Sequence, residues 1–244
     1  QKLTASDAAQ YDGFGISVSI DGDTAVIGAS ADDDNGDASG SAYVYVRSNG
    51  VWSEQQKLTA SDGAAGDYFG ESVSIDGDTA VIGARQDDDN GSNSGSAYVY
   101  VRSNGVWSEQ AKLTASDGAE NDVFGLSVSI DGDTAVIGAY GDGDSGSYSG
   151  SAYVYLRSNG VWSEQQKLTA SDGGQADYFG YSVSISGDTA VIGAYGDDNN
   201  SSASGSAYIF PLTPPSPPHQ DTSAVITGSL DGNTTQGGFT FGSL

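Results

Sequence analysis

The sequence predicts an all-β fold, a β-propeller whose four blades are four copies of one 55-residue repeat. Three observations predict it. A Phe-Gly pair recurs every 55 residues, and a fixed period of this length is typical of repeats that bury their apolar faces against one another. Each repeat carries four strand-like runs separated by turn residues, and none of these runs has the apolar spacing of a helix. Four antiparallel strands in each repeat predict one four-stranded blade. The pairs begin at Phe14, Phe69, Phe124 and Phe179.

The first two runs of a repeat predict a hairpin. Residues 16–20 alternate apolar residues with serine, which indicates a strand with one buried face. Asp21-Gly22 follows, and an Asp-Gly pair favours a tight turn. Residues 24–29 are apolar on both faces and end in small residues, as expected for an inner strand between neighbouring blades.

The last two runs predict a second hairpin. Residues 42–47 place tyrosines on one face and valines on the other, so both faces are expected to be covered. Asn49-Gly50 predicts the turn. Residues 51–58 are more polar, which favours an outer edge strand.

The two ends of the chain depart from the repeat. Residues 1–7 match residues 56–62, the end of an outer strand, and the fourth repeat lacks the sequence of its own outer strand. We expect residues 1–7 to complete the fourth blade, although they supply only the second half of that strand, so the predicted closure is incomplete. The repeats occupy 1–210. A proline-rich linker follows at 211–219, where five prolines fall in eight residues. Residues 220–244 read as a β-hairpin-like tail and a candidate donor strand, because a lone hairpin is marginal in water.

The charge of the chain restricts its partners. The net charge is −25, from 33 acidic and 8 basic residues, so nucleic acid and anionic membranes are excluded as expected partners and a cation is favoured. No apolar run reaches the length of a membrane span, which argues against membrane insertion. Acidity and Asp-Gly richness favour an extracellular or cell-surface location.

An acidic loop after the second strand is the candidate metal site. Its first and third positions carry carboxylate or amide oxygens in every repeat, and residues two apart in an extended loop point to the same side. Oxygen ligands followed by a loop glycine favour calcium, a hard cation. The alternative is that Asp, Asn, Gly and Ser simply form a good turn. The predicted ligands are Asp32, Asp34, Asp87, Asp89, Asp142, Asp144, Asp197 and Asn199.

Three further sets recur with the repeat. A second acidic set is expected to cap the turn into the first strand, or else to reach the ion of a neighbouring loop; it comprises Asp12, Asp67, Asp122 and Asp177. Tryptophans and tyrosines of the third and fourth strands are expected to pack between blades, with sugar stacking as the alternative; the tryptophans are Trp52, Trp107 and Trp162. Arginines are expected to pair across strands with glutamates; the arginines are Arg47, Arg102 and Arg157 and the glutamates Glu54, Glu109 and Glu164.

Catalytic groups are scarce. The one histidine, His219, lies in the proline-rich linker, and the chain has no cysteine. No acidic pair breaks the repeat pattern, as a unique active site would require. The sequence therefore predicts a protein that is not an enzyme.

The Phe-Gly pair, the Val-Ile-Gly-Ala of the second strand and the acidic loop resemble the FG-GAP repeats of bacterial surface proteins and of the integrin α-chain propeller. The resemblance covers residues 1–210. It implies a propeller with calcium in some blade loops and a role in adhesion or recognition. Members of that family usually have seven blades, whereas four repeats occur here.

These features lead to one function and two alternatives. The leading hypothesis is a non-enzymatic, extracellular, calcium-binding propeller for adhesion or surface structure, with a protein or glycan surface as ligand. In the first alternative the chain is a filament subunit whose tail adds strands to another copy. In the second it is a carbohydrate-binding propeller.

Overall fold

The computed structural model describes residues 1–198, 201 and 203–212, and there it confirms the all-β repeat architecture. These residues form fifteen strands and no helix. In chain order the strands are β1 (Val18–Asp21), β2 (Thr24–Ala29), β3 (Ser41–Ser48), β4 (Val51–Leu58), β5 (Phe69–Asp76), β6 (Thr79–Ala84), β7 (Ser96–Ser103), β8 (Val106–Leu113), β9 (Ser127–Asp131), β10 (Thr134–Ala139), β11 (Ser151–Ser158), β12 (Val161–Leu168), β13 (Phe179–Ser186), β14 (Thr189–Ala194) and β15 (Ser206–Pro211).

Each repeat forms one antiparallel sheet, which is one blade. The first three sheets have four strands each, in the orders β1-β2-β3-β4, β5-β6-β7-β8 and β9-β10-β11-β12. The described part of the fourth sheet has three strands, β13-β14-β15. In the sequence, Pro214 and Pro215 stand where the other repeats have the second Asn-Gly pair. Residues 213–244, which include most of the predicted linker and the whole predicted tail, lie outside the described residues.

The turns follow the local sequence. Asn49 and Gly50 have φ values of 50° and 78°, the left-handed conformation that a two-residue hairpin loop requires at both positions. In the other hairpin Asp21 pairs with Thr24, so the loop consists of Gly22 and Asp23, one residue later than the Asp-Gly pair predicted.

Successive blades pack in chain order through a close backbone contact. A Cβ added to Gly83 would lie 1.9 Å from the carbonyl oxygen of Gly125 in the next blade. No side chain fits in that space, so glycine is required at this position. The apolar core lies between the blades, where Val26 and Val44 of the first blade cluster with Ile75 of the second. The same glycine contact joins Gly28 to Gly70 and Gly138 to Gly180.

The N-terminal segment lies on the first blade, and the prediction that it completes the fourth blade of its own chain is wrong for the described residues. The Gln1 side-chain amide donates a hydrogen bond to the Trp52 carbonyl oxygen at 2.7 Å, and Ser6 binds the Glu54 carboxylate. The segment stays on the first blade because strands of the first and fourth sheets do not pack extensively on one another among the described residues. Gln56 and Ser61, the residues that match Gln1 and Ser6, make the same bonds to the blade that follows them. Residues 1–7 therefore bind the first blade as residues 56–62 bind the second.

A candidate cation site in the blade loops

The acidic loop of each repeat folds around its first aspartate. In the second blade, between β6 and β7, Asp87 is buried and its Oδ1 accepts a hydrogen bond from the Asp89 backbone N–H at 3.2 Å. The Asp88 carboxylate turns outward and accepts the N–H of Asn93 at 2.7 Å. Gly91, with φ 123°, lets the chain bend. The loop is thus ordered by its own Asp side chains, as the turn alternative expected.

The predicted ligands of the first three loops come together with a third carboxylate. In the second blade Asp87 and Asp89 meet Asp62, which belongs to the connection between β4 and β5, and their oxygens lie within 4.8 Å of one another. The equivalent clusters are Asp7, Asp32 and Asp34 in the first blade and Asp117, Asp142 and Asp144 in the third. The third carboxylate was not predicted as a ligand.

A lysine occupies the space between the three carboxylates. Lys112 Nζ lies 2.7 Å from Asp62, 2.9 Å from Asp87 and 2.6 Å from Asp89. It comes from β8, where it is paired with Tyr98 of β7. Sequence reasoning missed this residue, although all four lysines recur at the 55-residue spacing. Lys57 and Lys167 take the same position in the first and third blades.

The cluster fits a hard cation in donor type but already holds a positive charge. Its three carboxylates offer only oxygen, as calcium prefers. With the ammonium present, the formal charge of the group is −2. Calcium would bind between the same oxygens only when the lysine side chain moves out.

Burial and charge set the ionisation of the cluster. Burial alone would lower the pKa of Lys112, but its three carboxylate partners raise it above the ordinary value, so the ammonium stays charged. Burial opposes ionisation of Asp62, yet the hydrogen bonds from Lys112 and Tyr98 hold its pKa below the ordinary value. The Asp117 carboxyl behaves in the same way beside its own lysine.

The second acidic set caps the turn, as predicted. Asp122 is buried and accepts the Ala119 backbone N–H at 2.7 Å, and Asp67 accepts that of Ala64 at the same distance. Burial, with the negative charge of Asp142, raises the pKa of Asp122 to about 6 against the effect of that hydrogen bond. The remaining members, Asp12 and Asp177, make the equivalent bond.

These opposite pKa shifts predict a stability maximum at mildly acidic pH. The folded-state pKa of Asp122 lies above its ordinary value of 3.8, so the free energy of unfolding rises as pH falls from about 6 towards about 4. The pKa values of Asp62 and Asp117 are lowered, so their contribution is complete above about pH 4 and is lost as pH falls further. Urea unfolding at several pH values should show a maximum between about pH 4 and 5.

The Asp122→Asn variant is the control for this prediction. Its amide oxygen still accepts the Ala119 N–H but does not titrate, so the rise between about pH 6 and 4 should shrink. A free energy of unfolding that increases steadily from about pH 4 to 8 in the parent chain would contradict the assignment.

The fourth loop holds part of the same arrangement. The Tyr208 hydroxyl lies 2.8 Å from Asp172 and 2.8 Å from Asp197. Asn199, the other predicted ligand of this loop, lies outside the described residues. In the sequence, Thr222 stands where the first three repeats have the lysine.

The aromatic residues pack inside and between the blades, as predicted. Tyr98 is fully buried and its ring lies 5.4 Å from that of Phe69 in an edge-to-face contact. Trp107 and Trp162 are buried, and Trp52 packs on the edge of the core. The carbohydrate alternative therefore lacks the exposed rings that it requires at these positions.

The predicted arginine–glutamate pairs are wrong. Arg47 binds Asp23 at 2.6 Å and lies over the Trp52 ring, because it stands opposite Trp52 in the β3–β4 ladder. Glu54 stands opposite Tyr45 and instead accepts hydrogen bonds from Ser6. In the second and third blades the pairs are Arg102 with Asp78 and Arg157 with Asp133.

Comparison with known proteins agrees with the repeat structure. The described residues include no helix that is long and apolar enough to cross a membrane. No curated protein matches the chain. The FG-GAP repeat family matches it four times, and each of the last three matches starts in the outer strand of one blade and ends in the third strand of the next. The matched residues are 1–45, 52–100, 107–155 and 162–210. Since these matches cover well over half of its length, the chain belongs to the FG-GAP repeat family.

Proposed function

We propose that the chain is a non-enzymatic, extracellular propeller module for adhesion or surface structure, and that its loop clusters bind calcium in competition with their lysines. The family supports an adhesion-type module. The observation that carries the proposal is the recurrence of one acidic, lysine-centred cluster in three successive blades. Because every cluster lies in the loop between the second and third strands, the blades present them at the same end.

The repeated chemistry favours display over catalysis. The ionisable groups with shifted pKa values at the clusters recur in blade after blade, as in Lys112 of β8 and Lys167 of β12, whereas an active site needs one place that differs from the rest. A rigid row of equal sites is suited to holding a partner surface at several points, where weak contacts combine. His219 lies outside the described residues and takes no part in this argument.

Two opposing effects decide how tightly calcium binds. Each cluster retains a formal charge of −2, which attracts a divalent ion. Against this, the ion must break three ammonium–carboxylate contacts, such as those of Lys57 at 2.8, 3.0 and 2.5 Å. We therefore propose the weak affinity of extracellular calcium modules, with a Kd of about 0.1–1 mM.

Calcium is expected to bind measurably and, with all three clusters filled, to raise the free energy of unfolding by about 1–4 kcal/mol. At about 1 mM calcium each site of this affinity adds about 0.4–1.4 kcal/mol to the free energy of unfolding. Isothermal titration of the chelator-treated full chain, followed by urea unfolding with and without calcium, measures both quantities. Magnesium is the control ion, because its strict octahedral geometry and reluctant dehydration suit these clusters less.

The adhesion part is tested on the same protein. Beads coated with the full chain should be retained on protein- or glycan-coated surfaces, and chelator should reduce the retention. Beads carrying the Asp89→Asn and Asp144→Asn double variant are the matched control. Absence of calcium heat together with retention that chelator leaves unchanged would reject the calcium role, and no retention on any surface would reject adhesion.

A further inference from the structure

Strand β1 exposes apolar side chains whose equivalents in the first strands of later blades are buried. Val18 is 69% exposed and Ile20 63%, whereas the matching Val73 and Ile75 of β5 are 9% and 6% exposed. In the second blade these two residues pack against the preceding blade. We call Gly15, Val18 and Ile20 the front face; it is the surface on which a preceding blade would pack.

The fourth blade exposes the opposite half of the same interface. Val191 is 40% exposed and Ile209 71%, whereas the matching Val81 and Val99 of the second blade are fully buried against the third. We call Val191, Gly193 and Ile209 the rear face. Among the described residues, strands of the first sheet do not pack extensively on strands of the fourth, so the two faces of one copy do not cover each other.

The two glycine positions of the contact between blades also occur on these faces, one on each. A Cβ on Gly193 would meet only atoms of Ser182 in its own blade, and one on Gly15 would meet nothing within 4 Å. In the interior, Gly83 and Gly125, which occupy the same positions, leave no room for a Cβ. Both end positions thus keep the glycine of the inner interfaces without the close backbone contact to another blade that it has there.

The N-terminal residues match the outer strand that is absent from the described part of the fourth sheet. Gln1, Lys2 and Leu3 repeat the last three residues of β4, which pair with Val44, Tyr43 and Ala42 of β3. Within the described residues, β15 is paired on one side only, with β14. By the same register, Lys2 would lie opposite Tyr208 of β15, next to Asp172 and Asp197.

We propose that the rear face binds the front face of a second copy of this chain, head to tail, with residues 1–3 of that copy added to β15. The occupant is a second copy because the contact continues the interface that already joins each blade to the next, and both halves are present on one chain. Such a heterologous contact closes into a ring or continues as a filament. Two copies that close give eight blades, within the usual range of propellers. This inference is independent of calcium and of adhesion.

One contact of the inner interfaces is missing from the proposed one. Asp131 accepts the Gly187 N–H at 2.8 Å, and Asp21 and Asp76 make the same bond to the blade that follows them. Ser186 holds this position in the fourth blade. A shorter side chain at one polar contact leaves the apolar faces and the glycine contact intact.

Sedimentation and light scattering of the full chain test the proposal with two variants. Ile20→Asp blocks the front face and Ile209→Asp blocks the rear face. Both side chains are exposed in a single copy, so neither variant should unfold. We expect the parent chain to form dimers or larger species and each variant alone to stay monomeric, with association weakened at least about 100-fold. An equimolar mixture should form a one-to-one dimer, because Ile20→Asp keeps its rear face and Ile209→Asp keeps its front face.

The Val106→Asp variant is the matched control. Val106 is 61% exposed at the start of β8, away from both faces, so this variant should associate like the parent chain. Equal thermal unfolding of the monomeric variants confirms that they fold. A parent chain that stays monomeric at the highest concentration overturns the proposal. A mixture that does not dimerise overturns it as well.

Discussion

The Gly83→Ala variant is expected to lose more than about 4 kcal/mol of unfolding free energy, or to fail to fold. Its Cβ would lie 1.9 Å from the Gly125 carbonyl oxygen and 2.9 Å from the carbonyl carbon, and both are backbone atoms that cannot rotate away. The second and third blades would have to separate, which exposes the apolar core between them. Urea unfolding followed by tyrosine and tryptophan fluorescence measures the loss.

Gly193→Ala provides the matched control for this substitution. The new Cβ meets the Ser182 Oγ at 2.4 Å, and a serine hydroxyl at the edge of a blade can rotate away. We expect a change within about 1 kcal/mol. Both substitutions should be made in the Ile20→Asp background, so that self-association does not contribute. Equal losses in the two variants would contradict the inter-blade contact.

Lys112→Met is expected to destabilise the chelator-treated protein by about 2–4 kcal/mol at neutral pH. It leaves three carboxylates within 4.8 Å of one another with no cation between them. The effect should fall somewhat below that of a fully buried pair, because the Lys112 side chain is 17% exposed and that of Asp62 is 47% exposed. Urea unfolding in chelator is the measurement.

Calcium separates the charge effect from a packing effect in this variant. With the ammonium gone, the oxygen cage is open, so calcium should bind more tightly than to the parent chain and should restore most of the lost stability. Lys2→Met, which removes an exposed lysine from the same register, is the control and should leave the stability of a single copy unchanged. A Lys112→Met protein as stable as the parent in chelator would show that the cluster does not need its cation.

Local patterns predicted the blades well. The strand in residues 16–20 and the Asn49-Gly50 turn depend on neighbours in sequence, and both are found in the structure. The buried face predicted for that strand is wrong in the first blade, where Val18 and Ile20 are exposed, because no blade precedes it among the described residues; in the second blade the matching Val73 and Ile75 are buried. Because the repeat is fixed, a strand predicted for one repeat was found in the others as well. The exception is the outer strand of the fourth blade, which is absent among the described residues.

The contacts within the candidate site could be predicted only in part. Asp87 and Asp89 share a loop, so their common direction followed from spacing. Lys112 contacts them from β8, which follows β7 and its hairpin turn, and Asp62 contacts them from the connection between β4 and β5. Such contacts depend on how strands and blades pack, which one repeat cannot reveal. For the same reason Arg47 was paired with the wrong carboxylate.

The identical contact between successive blades affects how the number of repeats in such a chain can change during evolution. Each repeat carries one half of the contact at Gly28 and its equivalents and the other half at Gly70 and its equivalents. An in-frame duplication of one repeat would insert a blade whose two packing surfaces already fit both neighbours. An in-frame loss of one repeat would bring together two blades whose packing surfaces also fit. The number of blades can therefore vary by whole units without a compensating substitution elsewhere, whereas an insertion of any other length would interrupt the register.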